Sequence, residues 1–483
     1  MIDYRMYVAG EWTDGDSGSR TESQSPSTGE KIGTVPEGTR EDVRRAVEAA
    51  NEAWPGWAAT SAFERATAMG RISAVIDKRR EDLAQTLTLD QGKPLHPEAY
   101  DEVDELIEYF SMAAADVTRL DGVMPPSVDA DKRVLLYRVP RGVVGVISPW
   151  NWPYTMPAEL LAPALATGNA VVWAPAPSTS ICAVKLAECI VEAGLPPGIF
   201  NMVTGPGPVV GDEVAANPGT QAVAFIGSIE TGRKVASRAA GKATLLEMGG
   251  NGPLVVLDDA DLDSAAEASL DAAFLCAGQS CTAGERFLVH EKVHEAFLEK
   301  LLSGMKRRVR LGDPFAQETT MGPLNNEATA VKMDEHIADA LECGAKLLAG
   351  GARAKGATDL YYEPTILDGV ADGMRVAREE TFGPIIPITT IRDEGEAIRA
   401  VNSSPYGLLS AVFTRDLGRG LRFAESVRTG WVNINATTNH WESHLPFGGA
   451  AGSFSGVGRV GGRHPMETFT ELKTVILDLG PGD

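Results

Sequence analysis

The chain has 483 residues, 43% hydrophobic and 23% charged, which fits a globular protein of about three folding units. No apolar run reaches the ~20 residues needed to cross a bilayer, glycine and proline are spread without a repeat, and the start Met1–Tyr7 is too polar for a secretory signal. A net charge of −22 leaves nucleic acid and anionic membranes as poor partners, because both need a basic surface.

The N-terminal part reads helical. Val43, Ala46, Val47 and Ala50 recur at the spacing of one helix face. Ser61 followed by Glu64 is a capping-box start for a second helix running towards Asp90. A third helical stretch covers roughly 97–118. From residue 143 the pattern changes to short β-rich runs at Val143–Ser148, Ala170–Ala174, Ile199–Val203, Ala222–Ile226, Thr244–Glu247 and Leu254–Leu257. Helical segments at about 179–193 and 230–240 separate several of them, which predicts a parallel sheet with crossover helices. Gly205, Gly207 and Gly227 sit where strands end, the place where open α/β sheets bind cofactors.

A second alternating series follows: helix about 262–275, strand 286–290, helix 292–309, strand 385–390, helix 394–401, strand 408–413, helix 417–427 and strand 430–434. It predicts a second α/β domain. Lys132–Arg138 and Glu471–Leu479 are short strand-like runs outside both series.

Five cysteines at irregular spacing make no disulfide framework and point to a reducing cytoplasm. The two i, i+4 histidine pairs, His290/His294 and His440/His444, lack the acidic or thiol neighbours of a zinc site, so no metal is expected.

Four motifs can carry chemistry. In Gly278-Gln279-Ser280-Cys281-Thr282-Ala283-Gly284, a cysteine flanked by small residues follows an apolar helix. As a thiolate it is a nucleophile, although a lone cysteine is more often a small core residue. Glu247 stands between an apolar strand end and the pair Gly249-Gly250, where it suits a general base or a solvated loop. Asn151, within Pro149-Trp150-Asn151-Trp152-Pro153, would be held rigidly enough to donate to an oxyanion; a packed aromatic turn is the alternative. Phe225-Ile226-Gly227-Ser228 with Gly232, and Thr204-Gly205-Pro206-Gly207, are turns that let a pyrophosphate approach a helix N-terminus, though their spacing is not G-x-G-x-x-G.

Taken in order, Pro149–Pro153, Phe225–Ser228, Leu246–Gly250, Gly278–Cys281, Glu379–Pro384 and Pro446–Gly449 resemble the NAD(P)-dependent aldehyde dehydrogenase superfamily along essentially the whole chain. The resemblance implies an α/β fold of two Rossmann-type parallel domains plus a small β oligomerisation element. A cofactor-binding domain takes 1–119 and 142–249, a catalytic domain 250–462, and the oligomerisation element 120–141 with 463–483. A homodimer or homotetramer is implied. Cys281 would attack the aldehyde to form a thiohemiacetal, and Asn151 would stabilise its oxygen. Glu247 would activate the water that hydrolyses the later thioester. Glu380 would bind the nicotinamide ribose, Phe382 would pack near the ring, and Trp150, Gly207, Gly227 and Ser228 would lie along the pyrophosphate and ribose.

The sequence departs from that pattern in places. Ala174-Pro175-Ala176-Pro177 replaces the usual lysine and glutamate at the adenosine ribose, so NAD and NADP both stay open, with Ser178 or Thr179 as substitute donors. Leu160 stands where a lysine often lies behind the base, and the loop after Gly449 is longer and lacks its usual lysine. The aldehyde would meet Trp152, Met156, Ser280, Thr282, Trp441 and Phe447; Trp152 and Trp441 suit an apolar body, while Asn439, His440 and His444 suit a polar tail. No arginine pair for a carboxylate tail is visible. Two other readings stand beside the dehydrogenase: a relative that passes the acyl group to coenzyme A, and a non-enzymatic binding protein on the same fold.

Overall fold

The computed structural model describes residues 2–480; Met1 and 481–483, the extreme ends of the expected first domain and oligomerisation element, lie outside them. Two large sheets organise these residues. The first has eight strands in the order Gly456–Val457, Ala243–Met248, Ala222–Gly227, Val143–Ile147, Ala170–Ala174, Phe200–Met202, Met6–Val8 and Glu11–Thr13. Its five central strands pair in parallel, and the strands at both edges run antiparallel. The central runs are short and apolar, and Ala170–Ala174 is buried throughout, as expected for strands covered by helices on both faces.

The second sheet has seven strands in the order Lys346–Ala349, Thr365–Asp368, Ile385–Ile391, Gly284–His290, Gly252–Val256, Leu409–Phe413 and Trp431–Ile434. All but the first pair in parallel. Lys132–Pro140 and Thr470–Asp478 form a separate antiparallel ribbon, and Arg20–Gln24 pairs with Lys31–Pro36 in another.

Helices form where the sequence supplies their caps. Thr39 and Asp42 make a reciprocal capping box that starts Arg40–Ala58. Ser61 and Glu64 do the same for Ala62–Lys78, with Ser61 N–H donating to Glu64 at 2.8 Å. The single helix expected from there to Asp90 is two: the chain breaks at Arg79 and resumes as Arg80–Gln91. Arg79 leaves the helical path to pair with Glu188 and Glu192 on the neighbouring helix Ser180–Glu192.

The two sheets are stitched together near the end of the chain. Gly456–Val457 adds to the first sheet, with Leu246 opposite Val457 and Glu247 opposite Gly456. Gly456 has a φ of +118°, and a Cβ there would lie 1.9 Å from the Leu246 carbonyl oxygen, so the strand that carries Glu247 is edged by a residue only glycine can fill.

Candidate active site

The strand ends of the first sheet and the loop before Gly284–His290 of the second converge on one cleft. Val143–Ile147 leads into Pro149–Asn151, Ala222–Gly227 ends at Ser228, and Ala243–Met248 carries Glu247. Across the cleft, Leu262–Phe274 gives way to a tight turn that presents Cys281.

That turn is strained and clamped. Cys276, Ala277 and Gly278 follow one another with φ of +52°, +53° and +73°. Each non-glycine residue in that region costs about 1–3 kcal/mol, which the surroundings must supply. Glu98 accepts from the Cys276 N–H at 3.1 Å, and the Gln279 amide donates to the Cys276 carbonyl at 2.9 Å. The Asn325 N–H donates to the Gln279 side chain at 2.8 Å, and Asn151 Nδ2 donates to the Gln279 carbonyl at 3.0 Å. Asn151 is thus buried with one amide hydrogen fixed on the Cys281 loop and a second left to give.

Two cavities meet at Cys281. The first, about 290 Å³, is lined by Trp150, Asn151, Gly227, Ser228, Glu380 and Phe382 and by Glu247, Met156 and Cys281. The second, about 100 Å³, is lined by Trp152, Ser280, Thr282, Trp441 and Phe447 and again by Glu247, Met156 and Cys281. The residues expected to act and to touch substrate therefore all stand at one or both cavities. Of those expected at the cofactor, Gly207 and Ser178 line neither, both being exposed in turns that precede helices. His440 and His444 also line neither.

Burial governs the acid–base groups here. It pushes the Glu247 carboxyl up to about 8, the Cys281 thiol favours the ionised form, and Glu380 adds repulsion. Oε1 of Glu247 is buried without a hydrogen-bond partner among the described residues, an acceptor waiting for a donor. Burial raises the Cys281 thiol well above its ordinary value, with Glu247 and Glu380 next in effect, so the free protein holds a thiol there.

The first cavity fits a dinucleotide. Ser228 caps Ile229–Arg238 through the Thr231 N–H, and the start of that helix opens on the cavity. Gly232 lets the helix lie close on its strand, since a Cβ there would sit 2.1 Å from Met248 Sδ. Glu380 accepts from the Gly250 N–H at 3.0 Å, and the Trp150 and Phe382 rings meet edge to face at 5.6 Å. The Thr381 and Phe382 N–H groups donate to buried Glu285 and hold that turn.

Sequence reasoning missed Asn326, Thr329 and Lys332, which line the first cavity from the start of Glu327–Glu342. The buried set Ala330, Met333, Ile337 and Ala340 carries the helical period that would have revealed this element. It also missed Glu105, Glu159 and Leu275 in the second cavity.

The model of the aldehyde dehydrogenase family matches residues 12–475. An NADP(+) succinate-semialdehyde dehydrogenase of Escherichia coli (strain K12) is 38% identical over 98% of this chain and 97% of its own. A glutarate-semialdehyde dehydrogenase of Pseudomonas aeruginosa is 39% identical over 98% and 97%. Among solved structures, succinate-semialdehyde dehydrogenase from Burkholderia pseudomallei superposes with a TM-score of 0.96 at 38% identity, covering 99% of this chain and 98% of that one. Betaine aldehyde dehydrogenase from Staphylococcus aureus, solved with NAD+, gives 0.96 at 33% identity over 100% and 96%.

Proposed function

Because the chain belongs to the aldehyde dehydrogenase family, and so oxidises an aldehyde to the acid with NAD(P)+, we propose that Cys281, Asn151 and Glu247 carry the reaction in this molecule. The observation behind this reading is their meeting where the cavity lined by Gly227, Ser228, Glu380 and Phe382 joins the one lined by Trp152, Trp441 and Phe447.

Cys281 attacks the carbonyl carbon, and its proton passes to Glu247, the adjacent buried carboxylate. The free amide hydrogen of Asn151 and the Cys281 N–H receive the oxygen of the thiohemiacetal. Bound in the first cavity, the oxidised nicotinamide supplies a positive charge and the hydride acceptor. Glu380 and Phe382 would hold its ribose and ring, and Trp150, Gly227 and Ser228 would face its phosphates. Once it has passed the thiol proton on to solvent, Glu247 takes a second one from the water that hydrolyses the Cys281 thioester, and the acid leaves as the thiol re-forms. The unpartnered oxygen of Glu247 favours this hydrolysis over transfer to coenzyme A. Leu160, fully buried, puts no cation behind the base.

Residues 1–119 with 142–249 serve as the cofactor unit and 250–462 as the catalytic unit, with Gly456–Val457 crossing onto the first sheet. The element of 120–141 with 463–483, through its ribbon Lys132–Pro140 and Thr470–Asp478, serves self-association as a homodimer or homotetramer; Leu472 and Ile476 are each 61% exposed on that ribbon. Five free cysteines suit a cytoplasmic setting. The semialdehydes named for two relatives bear a carboxylate, and the second cavity has no lysine, arginine or histidine in its lining to hold one.

The test is a panel of aldehydes with NAD+ and with NADP+, followed at the reduced nicotinamide. Cys281→Ser should lower turnover by roughly 10⁴-fold or more, as loss of a covalent nucleophile does. A variant that kept full turnover would remove Cys281 from this role.

A further inference from the structure

Besides Glu247, the second cavity has two further carboxyl groups in its lining. Glu105 reaches it from Tyr100–Val117 and Glu159 from Thr155–Ala166, two helices packed together. Each carboxylate has a single hydrogen-bond donor among the described residues: Trp441 Nε1 to Glu105 at 3.3 Å and Tyr109 Oη to Glu159 at 2.5 Å. Each therefore keeps an oxygen to spare. Burial holds the Glu105 carboxyl up at about 7 and raises Glu159 well above its ordinary value, and a cation bound beside them would favour the ionised form of both.

The cation nearest this cavity is already used. Lys93 is fully buried, bound to Glu102, and lies 3.5 Å from the centre of the Trp152 ring without lining the cavity itself. Trp152 thus stands between that ammonium and the substrate space. Trp441 and Phe447 add aromatic surface to the lining, meeting edge to face at 5.6 Å. Aromatic faces with spare carboxylate oxygens attract a cation and repel an anion. An aldehyde with a carboxylate tail would lose water here and meet carboxyl groups with no lysine, arginine or histidine in the lining.

We propose that the substrate carries a positively charged nitrogen at the end away from the aldehyde, held by Glu159, Glu105 and the Trp441 ring. This rests on Cys281 being the nucleophile, and it names the substrate class of that same site.

Three aldehydes with the same three-methylene arm separate the possibilities: 4-(trimethylammonio)butanal, its uncharged isostere 5,5-dimethylhexanal, and glutarate semialdehyde. The cationic compound should exceed its isostere in kcat/KM by about tenfold or more, with the carboxylate compound last. In Glu159→Gln and Glu105→Gln, which keep side-chain volume, the cation-to-isostere ratio should fall by about tenfold. Equal or better use of the uncharged or carboxylate compound by the wild type would overturn the proposal and leave the dehydrogenase reading intact. So would an unchanged ratio in both variants. No oxidation of any aldehyde would sink that reading and this inference with it.

Discussion

As the proposed base, Glu247 would set the pH behaviour of the reaction. Its carboxyl sits at about 8 because burial disfavours the charged form. A base works only when ionised, so hydrolysis of the thioester should rise with pH along a one-proton limb with its midpoint near that value. Glu247→Gln should remove the limb, lower turnover by about 10²–10⁴-fold and let acyl-enzyme accumulate. Rapid quenching and mass measurement of the Cys281 adduct would check this. Cys281, Glu247 and Asn151 were all legible in the sequence, since each lies in a short motif of unusual composition. Glu105 and Glu159 were not: Glu105 is one of several acidic residues on its helix, Glu159 is the one charged residue of a short apolar helix, and only the packing of the two helices brings both to a common space.

The strands and helices of both parallel sheets were readable because apolar runs between glycine-rich turns have few other folds open to them. The parts that escaped notice lacked that contrast. Arg20–Gln24 reads Arg-Thr-Glu-Ser-Gln, with no apolar residue to mark a strand, and the edge strand Lys346–Ala349 is largely exposed. Gly456–Val457 is two residues long and is defined by its partner alone. It nevertheless matters: Gly456→Ala should cost about 2 kcal/mol from the left-handed backbone, with the clash against the Leu246 carbonyl adding to it. Denaturant unfolding would measure that loss. Turnover should fall with it because Glu247 sits opposite the altered residue, and a variant of wild-type stability and rate would show the edge to be dispensable.

At the scale of the whole molecule, several carboxyls share one sign of perturbation. Burial raises Asp90 to about 6, Glu98 to about 7 and Glu285 to about 8. The folded chain therefore holds protons that the unfolded chain releases above about pH 4.5. The stability these groups contribute is full below that pH and is lost as pH rises through 6 to 8. Thermal unfolding followed by circular dichroism should give a midpoint several degrees lower at about pH 8.5 than at about pH 5.5. A flat profile would show these groups to be ionised in the fold. The exposed ribbon makes a separate prediction: Leu472→Asp with Ile476→Asp should shift the mass in light scattering towards a monomer, and an unaltered mass would place the contact elsewhere.

The stitching of the two sheets by Gly456–Val457 also bears on synthesis. While the chain is being made, the strand that bears Glu247 waits with an open edge until its partner arrives roughly two hundred residues later, about 10–40 s at 5–20 residues per second. An unpaired strand edge is a template for association with other chains. The nascent protein is accordingly most vulnerable in that interval, and slowing translation between residues 248 and 456 should lower the yield of native enzyme more than slowing it elsewhere.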